Sequence, residues 1–233
     1  MSDELDTNAK DRLVAATRGA LAAVPFVGGL LGELVTEVIP GLRQDRIVTY
    51  LRLLEDRVRA MEEASAKAAL ADPEKIDLIE RGGFQAARAT SPARIAHIVD
   101  VVARGLETDE AEIIRRKRLM ELLGEIDDDE VAILTAYGRS YGGGGRNAFA
   151  VISRPDPPHL GAGREVIDQN LLYELGKNHL LRMGLLERNY GNVKKGQLPE
   201  FDVKAGGFKG SVQISYLGRM LLREMGIELP FEG

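Results

Sequence analysis

Three histidines are the residues of this sequence best suited to acid–base or metal chemistry, but their spacing does not form a site. His97, His159 and His179 lie far apart, and none stands in a metal-binding pattern such as H-E-x-x-H. The chain has no cysteine, which excludes disulfides, thiolate zinc sites and a cysteine nucleophile. We therefore predict no catalytic residue, no metal site, no cofactor and no small-molecule ligand, and we expect a protein that is not an enzyme.

A run of glycines from Gly142 to Gly145, followed by Arg146, offers backbone N–H groups that could cradle a phosphate. The run lacks the lysine and the Ser/Thr of a P-loop, and its spacing differs from the dinucleotide-binding fingerprint. It lies in a long stretch rich in glycine and proline that has no helical period. We interpret the run as a flexible connector.

Basic side chains in the last third of the sequence could contact nucleic acid. The net charge of −5 argues against an extensive nucleic-acid surface, although a local basic patch remains compatible with it. Positive charges on an exposed loop typically contact DNA phosphates and position a protein without reading bases. If the protein binds DNA, we predict that the contacts are Arg188, Lys194, Lys195, Lys204 and Lys209.

Capping signals divide the first part of the chain into helices. Asp72-Pro73 and Ser91-Pro92 each place a capping residue before a proline suited to the first helical position. Asp127 and Glu130 have the spacing of a capping box. These signals predict a multi-helix domain over residues 1–126.

The helix that starts near Arg43 carries an apolar seam with steps of four and three residues, typical of a helix packed along another helix. We predict that this seam is covered by the helix containing Leu30, Leu34 and Val38, or serves as an association surface in a two-fold dimer. The seam consists of Ile47, Leu51, Leu54, Val58 and Met61.

The apolar block from Gly19 to Ile39 raises the question of a membrane segment. A spanning helix needs about 20 apolar residues, and Pro25, Glu33 and Glu37 interrupt this block. We predict two helical pieces packed within a soluble domain, with conditional membrane contact as the alternative. The acidic N-terminus is not a secretory signal, so we expect a cytoplasmic protein.

The last part of the chain has the order helix, strand, exposed basic hairpin, strand and helix. This order, with "ISYLGRMLLREMG" at its end, resembles a winged helix domain. We expect the preceding helix, "NLLYELGKNHLLRMGLL", to be largely core. The predicted fold is therefore mainly α, with the N-terminal multi-helix domain followed by a winged-helix-like α+β domain with a small β-hairpin over residues 127–233.

The helical half contains "PFVGGLLGELVTEVIPGLRQDRIVTYLRLLEDRV" and "GGFQAARATSPARIAHIVDVVARGL". Together with the winged-helix-like tail, these stretches resemble the bacterial Abi-alpha group, which is associated with abortive infection against phage. The resemblance implies a bacterial cytoplasmic protein with a role in phage defence. It carries no site residues with it.

Two functions are consistent with this sequence. The first is a non-enzymatic interaction or effector protein that forms a homo-oligomer, or that meets a protein partner or a membrane under some conditions. The alternative is a DNA-binding transcriptional regulator of the winged helix type. A continuous basic stripe on the hairpin face would favour the regulator.

Overall fold

The structure is a computed structural model that describes residues 41–141, 148–149, 152, 154–155, 159, 161–203 and 206–230. The predicted helices over residues 19–39 and the glycine run therefore lie outside the described residues. The chain divides into two compact units, Met1–Glu125 and Ile126–Gly233. We call them the helical unit and the α+β unit and describe each by itself.

The helical unit contains α1 (Gly41–Arg59), α2 (Glu63–Ala71), α3 (Pro73–Arg88), α4 (Pro92–Leu106) and α5 (Glu110–Glu125). Two of the predicted caps are confirmed here. The Asp72 carboxylate accepts a hydrogen bond from Glu74 N at 2.9 Å. The Ser91 hydroxyl accepts one from Arg94 N at 3.1 Å. Proline follows each capping residue at the first helical position, as expected.

The core of the helical unit forms where α1 packs against α3 and α4, and α5 packs against the same two helices. Tyr50 lies fully buried at the centre, and its hydroxyl donates a hydrogen bond to Ile79 O at 2.9 Å. A Cβ atom on Gly82 would lie 2.5 Å from the Tyr50 hydroxyl oxygen, so the close approach of α1 and α3 requires glycine there.

The predicted seam lies inside this core. Ile47, Leu51, Leu54 and Val58 are all buried, and Met61 is half-buried just beyond the end of α1. Because α3 and α4 cover the seam, the prediction that it forms an association surface needs correction. The cover that we expected, the helix around Leu34, lies outside the described residues.

The α+β unit contains α6 (Asp128–Arg139), α7 (Arg164–Arg182), β1 (Leu186–Asn189), β2 (Phe201–Asp202), β3 (Gly207–Phe208), β4 (Ser211–Ile214) and α8 (Tyr216–Glu224). Strands β1 and β4 are antiparallel, with Leu186 opposite Ile214. Strands β2 and β3 form a second antiparallel pair, with Phe201 opposite Phe208. The prediction of a mainly α protein, in which a helical part precedes a small α+β part with a hairpin, is confirmed.

Ser215 joins the last strand to the last helix, as the sequence suggested. Its hydroxyl accepts a hydrogen bond from Gly218 N at 3.0 Å and lies 2.6 Å from Gly184 O, to which it donates. A Cβ atom on Gly218 would lie 2.2 Å from Leu185 O, so only glycine lets α8 approach the backbone at the start of β1. The two residues fix α8 against the chain that leaves α7.

Within the described residues, no helix combines the length and the apolar character needed to cross a bilayer. The two helical pieces predicted over residues 19–39 lie outside the described residues, so this finding does not apply to them.

Candidate functional site

His97 lies on α4 of the helical unit, whereas His159 and His179 lie in the α+β unit. His179 Nδ1 lies 2.6 Å from Glu130 Oε1, so this histidine links α7 to α6. Glu130 Oε2 accepts a hydrogen bond from Asp127 N at 2.9 Å, and Asp127 accepts one from Glu130 N at 2.8 Å, which confirms the predicted capping box. Among the described residues, no group of three or more His, Cys, Asp or Glu side chains is placed to hold a metal ion.

An open groove of about 200 Å³ lies between α1 and the turn from α3 to α4. Asp45, Thr49 and Ile95 are among its lining residues. Its walls are mainly short side chains, and the groove is open to solvent. We assign it no ligand.

The outer face of α7 is apolar and exposed. Ile167, Leu171 and Leu175 recur every four residues, and Leu172 lies beside them. Leu171, Leu172 and Leu175 are 61%, 68% and 62% exposed, and Ile167 is also exposed. We call these four residues the α7 stripe. Exposed apolar patches of this kind typically mark interaction surfaces.

The α7 stripe corrects the prediction that this helix is largely core. Only a narrow face of α7 is buried, and it contains Tyr173 and Leu180. The Tyr173 hydroxyl lies 3.5 Å from the Tyr137 hydroxyl of α6. Burial, followed by the hydrogen bond with Tyr173, raises the pKa of Tyr137 above its usual range. These contacts, together with His179 and Glu130, hold α7 against α6 with the stripe facing solvent.

Charged side chains stand at both ends of the exposed face of α7. Asp168 lies near the beginning of the stripe and Arg182 at the end of the helix, and both are exposed. Their fourteen-residue separation places them on the same side of the helix as Leu175, by the period of 3.6 residues per turn. Arg164, at the start of α7, is exposed on the same side. The face therefore has Arg164 and Asp168 at one end, an apolar middle, and Arg182 at the other end.

The chain between β1 and β4, residues 190–210, carries a second set of exposed apolar side chains. We call it the wing. Leu198 and Val203 are 81% and 85% exposed, more than any residue of the α7 stripe. Tyr190, Phe201 and Phe208 are also exposed at its base. Phe208 makes edge-to-face contacts with Tyr190 and Phe201, at ring-centroid distances of 6.3 and 5.6 Å.

The predicted basic residues gather around this wing. Arg188 lies on β1, Lys194 and Lys195 lie in the loop that follows it, and all three are exposed. Lys209 is exposed after β3, and its ammonium group forms an ion pair with Glu200 that raises the pKa of the lysine. Lys204 lies outside the described residues. Lys194 and Lys195 lie in the loop between the end of β1 and the start of β2, so neither stands on a strand.

Sequence reasoning missed the apolar part of the wing because it weighed only the charges. The signal was present in "VKKGQLPEFDV", where the apolar residues Leu198, Phe201 and Val203 follow the two lysines. It also missed a cation–π cluster, in which the Arg219 guanidinium lies 4.3 Å from the Tyr216 ring centroid and 4.8 Å from that of Tyr141.

Comparison with known proteins finds no family model, no curated protein and no solved structure that matches this chain. The resemblances to the Abi-alpha group and to winged helix domains therefore stay predictions.

Proposed function

We propose that this protein is a non-enzymatic interaction protein that acts by self-association through the α7 stripe. The observation that carries the proposal is the exposure of Leu171, Leu172 and Leu175 on one helix face. Burying a leucine side chain stabilises a complex by about 1.5–3 kcal/mol. A stripe of this composition, held on a helix that is anchored on its other side, is suited to packing against another helix.

A second copy of the same chain is the partner that the charges favour. Two α7 helices that pack antiparallel about a two-fold axis would bring the segment around Asp168 of each beside the last turn of α7 in the other. In this arrangement Leu175 meets its own symmetry mate, and Asp168 of one copy faces Arg182 of the second. The contact is self-complementary, as a two-fold interface requires.

The wider role rests on the resemblance alone. We propose that self-association serves phage defence in the bacterial cytoplasm, as the Abi-alpha resemblance implies. The regulator alternative loses support from α7, because a groove-reading helix is usually polar and basic whereas this helix exposes leucines. DNA binding then depends on the lysines of the wing.

Self-association is tested by sedimentation of the full chain over a range of concentrations. The double variant Leu171→Glu/Leu175→Glu should raise the dissociation constant of the dimer by about 100-fold or more, because it buries like charges at the contact. Leu198→Glu, the same kind of change at a leucine of the wing that is even more exposed, is the control and should leave the dissociation constant unchanged.

Charge reversal distinguishes a second copy from another occupant of the stripe. Asp168→Arg and Arg182→Asp should each weaken the dimer, and the two together should restore it. A full chain that stays monomeric at every concentration would contradict the proposal. For the defence role, the Leu171→Glu/Leu175→Glu variant should lose any protection that the wild-type protein gives to bacteria in a phage plating assay.

A further inference from the structure

We propose that the wing is a second interaction surface, which docks on an anionic lipid bilayer by inserting Leu198 and Val203 among the headgroups. This surface goes beyond self-association, since it uses none of the residues of the α7 stripe. It also uses none of the residues of the apolar block Gly19–Ile39.

The apolar element is a short segment with three large exposed side chains. Leu198, Phe201 and Val203 are 81%, 53% and 85% exposed. Leucine and aromatic side chains at the bilayer boundary bury apolar area while the polar part of a protein stays in water.

The wing holds these side chains on an ordered base. Lys209 N donates a hydrogen bond to Glu200 O at 2.7 Å, beside the paired residues Phe201 and Phe208. The Phe208 ring contacts Phe201 on one side and Tyr190 on the other. Gly196 turns the chain before Leu198 with a φ of +86°, a conformation that favours glycine. An ordered base lowers the entropic cost of insertion.

Charge complementarity identifies the surface as anionic. Residues 186–210 contain five basic and three acidic residues, although the chain as a whole carries a net charge of −5. Glu200 forms its ion pair with Lys209. Among the residues of the wing that the structure describes, Lys194 and Lys195 are then the exposed lysines with no ion pair to Glu200. Lysines beside inserted apolar side chains strengthen attachment to anionic headgroups.

A lipid surface fits these side chains better than a nucleic acid does. Leu198 and Val203 cannot hydrogen-bond to base edges or phosphates. The rings of Tyr190, Phe201 and Phe208 pack edge-to-face on one another, whereas proteins that bind single strands offer aromatic faces to the bases. A bilayer accepts projecting side chains without a complementary shape.

The experiment measures sedimentation of the full chain with vesicles of phosphatidylcholine, and with vesicles of equal parts phosphatidylcholine and phosphatidylglycerol. We expect binding only to the anionic vesicles. Leu198→Ser/Val203→Ser should weaken this binding by about tenfold or more. Lys194→Gln/Lys195→Gln should weaken it by a similar factor, and added salt should do the same.

Matched controls lie in the helical unit. Phe84→Ser/Ile114→Ser removes two exposed apolar side chains there, and Arg52→Gln/Arg104→Gln removes two exposed charges. Both control variants should bind anionic vesicles as the wild-type protein does. Because all of these positions are exposed, circular dichroism should show the same fold for every variant.

Insertion can be measured separately by tryptophan fluorescence. Because the chain contains no tryptophan, a single introduced tryptophan reports on its own position alone. Leu198→Trp should shift its fluorescence to shorter wavelength on anionic vesicles and should be quenched by brominated lipid. Phe84→Trp should show neither effect. This readout does not depend on the oligomeric state, so it can fail or succeed separately from self-association.

Three results would overturn the proposal. They are no binding to anionic vesicles, binding that the wing variants leave unchanged, and a Leu198→Trp reporter that stays in water while the protein is bound. Binding of the same variants to duplex DNA is measured in parallel, to test whether the wing contacts nucleic acid instead. If the protein binds duplex but not vesicles, and only Lys194→Gln/Lys195→Gln weakens that binding, the wing is a nucleic-acid contact and the regulator alternative is favoured.

Discussion

Helices α1 and α7 carry similar apolar repeats, and the two units use them in opposite ways. In the helical unit, Leu51 and Leu54 of α1 are buried under α3 and α4. In the α+β unit, Leu171 and Leu175 of α7 are exposed. The period of a sequence therefore identifies a face of a helix, but tertiary packing decides whether that face becomes core or surface.

The largest effect that we expect comes from the same substitution in the two helices. Leu54→Ala should lower the free energy of unfolding by about 2–5 kcal/mol, because Leu54 is fully buried and its truncation leaves a cavity. Leu171→Ala should change it by less than about 0.5 kcal/mol, since that side chain is already in water. Chemical denaturation of the full chain at low protein concentration measures both.

Hydrogen exchange resolved by peptide assigns each effect to its unit. Leu54→Ala should speed exchange in α1, α3 and α4, and leave α7 unaffected. A Leu171→Ala variant as unstable as Leu54→Ala, under conditions where the protein is monomeric, would mean that α7 is covered within the chain. The comparison between the two helices would then be wrong.

Local features of the fold were predictable from the sequence, because capping depends on residues a few positions apart. Asp72, Ser91 and Asp127 were all assigned correctly as caps. The exposure of Leu171 was not predictable in the same way, because it depends on which elements pack on α7. The composition of "NLLYELGKNHLLRMGLL" is that of a core helix, and nothing local distinguishes a stripe that faces solvent.

The candidate surfaces were predictable only in part, for a related reason. The basic residues around Lys194 were found because runs of charge are visible in sequence. The proposal for Leu198 depends on its exposure in the structure, which the sequence alone does not give. The seam of α1 was recognised as an apolar face, but its coverage by α3 and α4 is a long-range property that spacing does not contain.

A smaller effect is expected for Gly218→Ala. This substitution tests whether the α+β unit exposes leucines because it is loosely packed. Gly218→Ala should destabilise this unit by about 1–3 kcal/mol, because the added Cβ atom would meet Leu185 O at 2.2 Å. Gly207→Ala is the matched control, since a Cβ atom there meets nothing within 4 Å. Thermal unfolding compares the two variants.

A tolerated Gly218→Ala would indicate that α8 can move away from the start of β1. The exposure of the α7 stripe would then be one sign of a generally loose unit. A clear loss of stability would show instead that tight packing on one side of the unit coexists with an open apolar face on the other, as expected for an interaction surface.

The smallest effect concerns Asp77, whose charge is paired within the helical unit, whereas Asp168 and Arg182 of α7 are proposed to pair with a second copy. The Asp77 carboxylate lies 2.5 Å from Lys117 Nζ and 2.9 Å from Arg81 Nε. Burial alone would raise the pKa of Asp77, but hydrogen bonds from Lys117 and Arg81 outweigh it and hold that pKa below its usual value.

The sign of the pH dependence follows from this lowered pKa. The contribution to stability is fully present above the unfolded pKa, about 3.9, and is lost as the pH falls through the folded value.

Because the Asp77 side chain is 39% exposed, solvent screening limits the contribution to about 0.5 kcal/mol. Asp77→Asn should therefore be less stable than the wild-type protein by about this amount near pH 6, and the difference should shrink toward zero as the pH falls below the unfolded pKa and through the lowered folded pKa. Urea denaturation of both proteins across this range measures it, with the exposed Asp56→Asn of α1 as the control that should show little change. A difference that stays constant with pH would mean that Asp77 stabilises the helical unit through packing. The comparison between the paired Asp77 and the charges of α7, Asp168 and Arg182, would then be wrong.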